Sequence, residues 1–436
     1  MISFTKRLVA PVLILVIAVA IAGPGAGAQA QELTIPSIDK VPRIDRSSPR
    51  PPVQVLRTSA FALKLKSHVV TGKRYVILTD HQEAAYLEPL NRLAKHREGV
   101  LLQVEDLNGL AAERAQRQDL QEKLRDLDVK FLAIAPRTKS YRENTLLALW
   151  ETLTTLDADP QLDVYPGILL ASTPKSLARL VQQSIDHQPK TVNTLKPLAI
   201  SQVRTRSELR SLQKAGILRN VFASYGIKTP IVAIYGSEAK GSPELPGDEV
   251  WNLTMAGPRK FVTKFPEAPA RALQESSLVV MHGHGIPGMS CSVDIDAIPL
   301  DFPGKIILSG SCFAAAPANS DLPAMSRAPG GYTVSKRPAF ATQCVDQGAI
   351  VFFGHMRLSS GFPHLYPVLE QWMAGKTVGE SYQQLMNAIM AMRGLHPGKF
   401  ILPNPSEAGR RIPQNILLYV VLGDPALVPV AALSKK

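Results

Sequence analysis

Strand-like apolar runs alternate with helix-spaced leucines along most of this 436-residue chain. That alternation restricts it to an α/β architecture of βαβ units around a mostly parallel sheet. Residues 75–78, 100–104, 131–134 and 164–170 read as strands. Between them, Tyr86, Leu90 and Leu93 share one helical face, Leu120, Leu124 and Leu127 another, and 146–156 forms a helix around Trp150. Pro174 suits the first turn of a further helix that turns Leu177, Leu180 and Val181 inward. A second block begins near Thr229. Its strands are 231–234, 277–281, 305–309, 349–353 and 416–422, with helices over 362–373 and 378–392 that place Trp372, Met386, Met390 and Met392 in the core. Residues 190–228 read as a connection with partial helix. Two sheets, or two halves of one, fit this length.

Two of these runs end in reactive side chains. The first enters His282-Gly283-His284-Gly285 and the second enters Gly310-Ser311-Cys312. Parallel strands share one carboxyl edge, and ligands of open α/β sheets bind there. A histidine and a cysteine leaving neighbouring strands therefore meet over one crevice, and the 28 residues from His284 to Cys312 hold one connection. A thiol with an unperturbed pKa of about 8.5 is partly ionised at neutral pH, and an imidazole beside it shuttles its proton. Gly285 and Gly310 let the main chain approach a substrate and aim N–H groups at a developing oxyanion. Taken singly, a cysteine after a strand is usually a small buried hydrophobe and a histidine a satisfied polar group. The pair at equivalent strand ends is the stronger signal. His282 and His284, two residues apart, are expected on one side of the strand. His282, His284 and Cys291 lack the spacing of a common zinc site. His355 and Arg357 read as crevice lining or as a solvated turn.

The chain opens with Lys6 and Arg7, an apolar stretch over 8–22 and an Ala28-Gln29-Ala30 site. Fifteen residues fall short of the roughly 20 that a spanning helix needs, so 1–30 is expected to be a cleaved signal peptide, with no further transmembrane segment. The protein is then secreted or periplasmic, with cell-surface association as an option. Residues 31–65, rich in proline and arginine, read as a linker or pro-segment. Two subdomains follow, over 66–228 and 229–436. Loss of the leader lowers the formal net charge from +13 to +11, spread without a basic run, so nucleic-acid binding is not expected. Cys291, Cys312 and Cys344 leave at least one free thiol in an oxidising compartment. If Cys291 and Cys344 pair, the free one is Cys312.

Gly283-His284-Gly285, Ser311-Cys312 and the late Leu422-Gly423-Asp424-Pro425 together resemble the gingipain family of cysteine peptidases, relatives of caspases and legumain. Asp163-Val164-Tyr165-Pro166-Gly167-Ile168, Gly348-Ala349-Ile350-Val351-Phe352-Phe353-Gly354 and Thr377-Val378-Gly379-Glu380 resemble further segments of that family. The resemblance implies a caspase-like three-layer α/β/α fold of two subdomains and an exported endopeptidase acting on protein or peptide substrates. It implies Cys312 as nucleophile, His284 as general acid and base, and the N–H groups of Gly285 and Cys312 as oxyanion hole. His282 is a possible accessory group, and no metal or other cofactor is needed. The third, orienting group is open, with Glu238 and Asp248 as candidates. Leu170-Ala171-Ser172-Thr173 stands where the family has Gly-Arg, and 326–338 forms a basic insertion. These departures keep open the alternative of a catalytically inactive caspase-like binding module. Arg50 and Arg57 are candidate self-processing sites.

Overall fold

A computed structural model of the chain describes residues 64–65, 75–205, 210–239, 247–255, 261–299, 301–317, 339–357, 359, 365–401 and 413–435. The expected leader over 1–30, almost all of the arm over 31–65 with Arg50 and Arg57, and the basic insertion over 326–338 lie outside the described residues.

The first block runs β1 (Lys64–Leu65), β2 (Tyr75–Thr79), α1 (Ala84–His96), β3 (Val100–Gln103), α2 (Gly109–Ala112), α3 (Arg114–Asp126), β4 (Phe131–Ala135), α4 (Glu143–Leu153), β5 (Tyr165–Ile168) and α5 (Pro174–Asp186). The second runs β6 (Pro197–Thr205), α6 (Arg210–Ala223), β7 (Ile231–Glu238), β8 (Val250–Thr254), α7 (Glu267–Glu275), β9 (Leu278–His282), β10 (Gly285–Ile286), β11 (Met289–Ser290), β12 (Val293–Asp294) and β13 (Lys305–Ser309). It closes with α8 (Phe340–Asp346), β14 (Ala349–His355), α9 (Leu365–Met373), α10 (Val378–Arg393) and β15 (Tyr419–Gly423).

Twelve strands form one continuous sheet in the order β1-β3-β2-β4-β5-β15-β14-β13-β9-β6-β7-β8. Most neighbours are parallel; β1 runs antiparallel to β3 and β15 antiparallel to β14. The single pair joining β15 to β5, Leu422 opposite Ile168, is of parallel type. The contacts around it decide the direction. Tyr75, at the start of β2, donates its hydroxyl to Asp424, just past the end of β15, at 2.8 Å. Tyr141, beyond the end of β4, donates to the Ala315 carbonyl beyond β13 at 2.8 Å. Gly167 likewise lies beside the Gly423 carbonyl and Pro425, so β15 runs against the strands on both of its sides in spite of that single pair, and both halves of the sheet present their carboxyl ends along one edge.

Helices cover both faces, as adjacent phenylalanines on β14 show, because successive strand side chains point to opposite sides. Phe352 packs edge-on against Phe340 of α8, while Phe353 packs against Tyr382 of α10. On the first face α1, α5 and α8 pack in sequence; on the second α4 meets α10 through Trp150 and Tyr382. The molecule is therefore a three-layer α/β/α protein. Local signals set the helix ends. Thr173 caps α5 by accepting from the Ser176 N–H at 3.1 Å, with Pro174 in the first turn. Thr377 caps α10 through Glu380, and Gly394, at φ 58°, ends it in the left-handed region.

The interval read as a connection, 190–228, is instead β6 and α6, and β6 sits beside β9, so the second half of the sheet begins before residue 229. Ser201 and Gln202 interrupt the apolar run there, yet both are buried. The expected disulfide is also corrected: all three cysteines are free. The Cys291 thiol donates to the His282 carbonyl at 3.1 Å, whereas Cys344 is buried in α8. Trp372, Met386 and Met390 are core residues, and Met392 packs against that core.

Candidate active site

The two reactive strands are hydrogen-bonded neighbours. Met281 of β9 lies opposite Ser309 of β13 in parallel register, so both chains leave the sheet at the same level. Among its described residues the crossover between them holds no α-helix, only a 3-10 turn at Ile295–Ala297. Its residues form a three-stranded antiparallel sheet, β10-β11-β12, folded back over the strand ends.

That small sheet is joined to the cysteine loop by buried hydroxyls. Ser290 Oγ lies 2.8 Å from Ser309 Oγ and donates to Ser311 Oγ at 3.1 Å, and Ser311 Oγ accepts the Cys291 N–H at 3.0 Å. Glycine is required where the two loops touch. A Cβ on Gly285 would stand 2.2 Å from the Cys312 carbonyl oxygen and 2.8 Å from Ser311 Cβ. One on Gly283 would meet Gln202 Cβ at 2.6 Å and Cys291 Sγ at 2.9 Å. The main chain after His284 is thus in direct contact with the main chain at Cys312.

His284 is exposed and Cys312 half-buried, so both open to solvent at this edge. Phe313, with φ 57°, turns the chain sharply after the cysteine, a conformation costing a bulky residue about 1–3 kcal/mol. The Phe313 N–H bond to the Arg357 carbonyl, 2.8 Å, holds that turn.

His282 does not share the exposure of His284. It is the last residue of β9 and is 4% exposed, stacked on Tyr366 with ring centroids 5.9 Å apart. Burial, with the Lys214 charge second, pushes its pKa down to about 3, so the ring is neutral at any physiological pH. The strand ends at His282, so the alternation that would pair the two imidazoles stops there. His355 and Arg357 are buried too, not a solvated turn. Arg357 Nε lies 2.7 Å from Glu143 Oε1, an ion pair tying the two halves of the edge together. Its angle falls outside that of a hydrogen bond.

Of the candidate orienting carboxylates, Asp248 precedes β8 at the amino edge, because Ile231 pairs with Val250 at the start of both strands. Glu238 ends β7, two strands from β9. The group that fixes the His284 loop is Gln202, whose Oε1 accepts the His284 N–H at 2.7 Å while its Nε2 donates to Ser292 Oγ. Sequence reading missed it, and also Ser359, which lies against the thiol, and Tyr419, which hydrogen-bonds to Ser359. Their one signal was position: Gln202 and Tyr419 lie near the ends of apolar runs, and Ser359 follows another.

Among the described residues one group of three has metal-ligand spacing, Asp157, Asp159 and Asp163, whose oxygens lie within 4.8 Å of one another in the α4–β5 loop. It is remote from Cys312 in sequence and belongs to another connection.

Fold and site together define an α/β protein with a cysteine and a histidine at the carboxyl edge of a mostly parallel sheet. Structures similar to it include the complex of Porphyromonas gingivalis RgpB pro- and mature domains, with TM-score 0.49, 12% identity, and 82% of this chain and 79% of that chain covered. A structure described as a protease matches with TM-score 0.47, 12% identity and the same coverage, 82% and 79%. The Saccharomyces cerevisiae separase–securin complex matches with TM-score 0.36 and 13% identity over 71% of this chain and 17% of that chain. At these scores the likeness assigns no role to any residue. No family model and no curated protein matches the sequence.

Proposed function

We propose that the chain is an exported cysteine endopeptidase in which Cys312 is the nucleophile and His284 the general acid and base. The observation that carries this reading is the close approach of Gly285 to the Cys312 carbonyl, which brings the main chain next to the exposed His284 against that of the half-buried Cys312 at the carboxyl edge of the sheet. The gingipain-like motifs at these same positions support it independently.

In this reading the Cys312 thiol gives its proton to His284 and the thiolate attacks a peptide carbonyl carbon. The N–H groups of Gly285 and Cys312 receive the oxyanion of the tetrahedral intermediate. The C–N bond breaks as the His284 imidazolium protonates the leaving amine, leaving a thioester on Cys312. Water, deprotonated by His284, then attacks the thioester, releases the acid and restores the thiol. Gln202 keeps the histidine loop in place, and no step requires a cofactor.

The test is labelling by an acyl-reactive peptide probe. Labelling is expected in the native chain and lost in both Cys312→Ala and His284→Ala. Labelling that persists in both variants overturns the assignment. Peptide hydrolysis that disappears with Cys312→Ala excludes the silent binding module.

A further inference from the structure

The sulfur of Cys312 is held by a residue from another strand end. Ser359, beyond β14, donates its main-chain N–H to Cys312 Sγ at 3.2 Å, and its Oγ lies 3.2 Å from the same sulfur. The hydroxyl donates to the Gly310 carbonyl at 3.1 Å and hydrogen-bonds with the Tyr419 phenol. A serine hydroxyl has one proton to give and two lone pairs to accept with. With the proton on the Gly310 oxygen, the lone pairs take the Tyr419 O–H and the Cys312 S–H, and every valence is used.

When the thiol passes its proton to His284, the sulfur changes from donor to acceptor. The Ser359 N–H already points at it, and the hydroxyl need only rotate from Gly310 to become a second donor to the anion. Hydrogen bonds to an ionised group are the strong ones. We propose that Ser359 is the positioning residue of the nucleophile, holding Cys312 as a thiol and solvating it as a thiolate, with Tyr419 setting the direction of the Ser359 hydroxyl.

Tyr419 is built for a fixed role. Its ring stacks on Phe353 at 5.6 Å and meets His355 edge-on at 4.4 Å, and its carbonyl accepts from Tyr382 at 2.5 Å. Burial, then the Cys312 charge, raise its phenol pKa, so it stays a donor throughout the range in which thiols ionise. The Ser359 assignment deepens the peptidase reading and rests on it for its catalytic consequence, while its effect on the sulfur can be measured without any peptide.

The experiment is the rate of iodoacetamide alkylation of the full chain between pH 6 and 9, with Cys312→Ala as blank, since Cys291 and Cys344 are buried. Ser359→Ala is expected to slow alkylation about tenfold near pH 6.5, the deficit closing as pH rises and thiolate forms without assistance. Ser359→Thr keeps the hydroxyl and recovers most of the rate, whereas Tyr419→Phe slows it about threefold. A Ser359→Ala profile that superposes on the native one overturns the assignment. Should Ser359→Ala fail to fold, Tyr419→Phe decides alone, and a native profile there overturns it equally. A chain that hydrolyses no peptide but shows slowed alkylation in Ser359→Ala loses the peptidase reading and keeps this one. Hydrolysis lost in Cys312→Ala with Ser359→Ala unaffected does the reverse.

Discussion

The carboxyl edge of the sheet is finished in two different ways. Over β2 and β4 it is filled by charge. The fully buried Asp80 carboxylate accepts the Arg137 N–H at 2.7 Å, Arg137 Nε at 3.1 Å and the Leu107 N–H at 3.4 Å, with the Ser140 hydroxyl as a fourth donor. Over β9 and β13 the same edge consists of Gly283, Gly285, Gly310 and the small hydroxyls of Ser290, Ser309 and Ser311. The topology supplies a crevice to each half, since parallel strands end together in both. Side-chain volume and charge then close one crevice, and their omission leaves main chain and sulfur accessible in the other. Fold alone therefore does not single out one crevice; the way the edge is filled does.

Breaking the filled side gives the largest effect. Asp80→Ala takes from the Arg137 guanidinium its fully buried partner, leaving it Asp106 and the Glu105 carbonyl, and strands the main-chain N–H groups of Arg137 and Leu107, which is expected to cost about 3–5 kcal/mol, read from the urea midpoint. Probe labelling of Cys312 below the melting range should survive. Loss of labelling at unchanged stability would show that the two edges are not separable. Breaking the open side should do the opposite. Gly285→Ala forces a Cβ into the Cys312 carbonyl, 2.2 Å away, and is expected to lower labelling and hydrolysis about 100-fold. Stability should fall by only about 1–3 kcal/mol. A variant with native labelling would mean that the contact between the two loops does not carry the site.

The same contrast explains what could be read from sequence. The bounds of β13, Lys305–Ser309, follow from an unbroken apolar run closed by glycine. The convergence of His284 and Cys312 at one edge follows from parallel neighbours. What sequence lacked were partners brought in from distant strands. Gln202 reaches His284 across 82 residues and Ser359 reaches Cys312 across 47, and no local pattern marks either pair. Strand β6 was lost because Ser201 and Gln202 break its apolar period, and of the two it is Gln202 that reaches the histidine loop. Counting cysteines suggested a disulfide because parity carries no spatial information. Burial in different surroundings, Cys291 against the carbonyls of Ile200 and His282 and Cys344 in a helix, keeps them apart.

The buried imidazole beside the open crevice yields a pH signature. His282 is neutral in the fold because burial lowers its pKa to about 3, against about 6.5 in the unfolded chain. A depressed value means that its contribution is complete above the unfolded pKa and is lost as pH falls from about 6.5 through about 3. A loss on the order of 3 kcal/mol by pH 4 is expected, and His282→Phe should flatten this acid limb. An unchanged acid limb in that variant would remove His282 as its source.

A comparison of two buried carboxylates gives the smallest effect. Asp80 is met by a guanidinium, whereas Asp163 faces Asp157 and Asp159 and accepts the Leu156 N–H at 2.8 Å and the Asp157 N–H at 3.2 Å. Burial first, then the two neighbouring aspartates, raise the Asp163 pKa to about 9, far above the value of about 3.9 for an unfolded chain. Here the sign is opposite to that of His282. The native state favours the protonated acid, so the contribution of Asp163 is full below about pH 4 and is lost as pH rises through about 9. Asp163→Asn keeps an oxygen for the two N–H donors and removes the charge. It should match the native chain at pH 4 and exceed its stability at pH 9 by at least about 1 kcal/mol, the full linkage of the shift being cut down as the half-buried Asp157 and Asp159 take up water, read from urea midpoints in chelator-treated buffer. Equal stability at pH 9 would mean that the acidic loop relaxes to hydrate its charges, and the contrast with Asp80 would then reflect that relaxation instead of the aspartates facing Asp163.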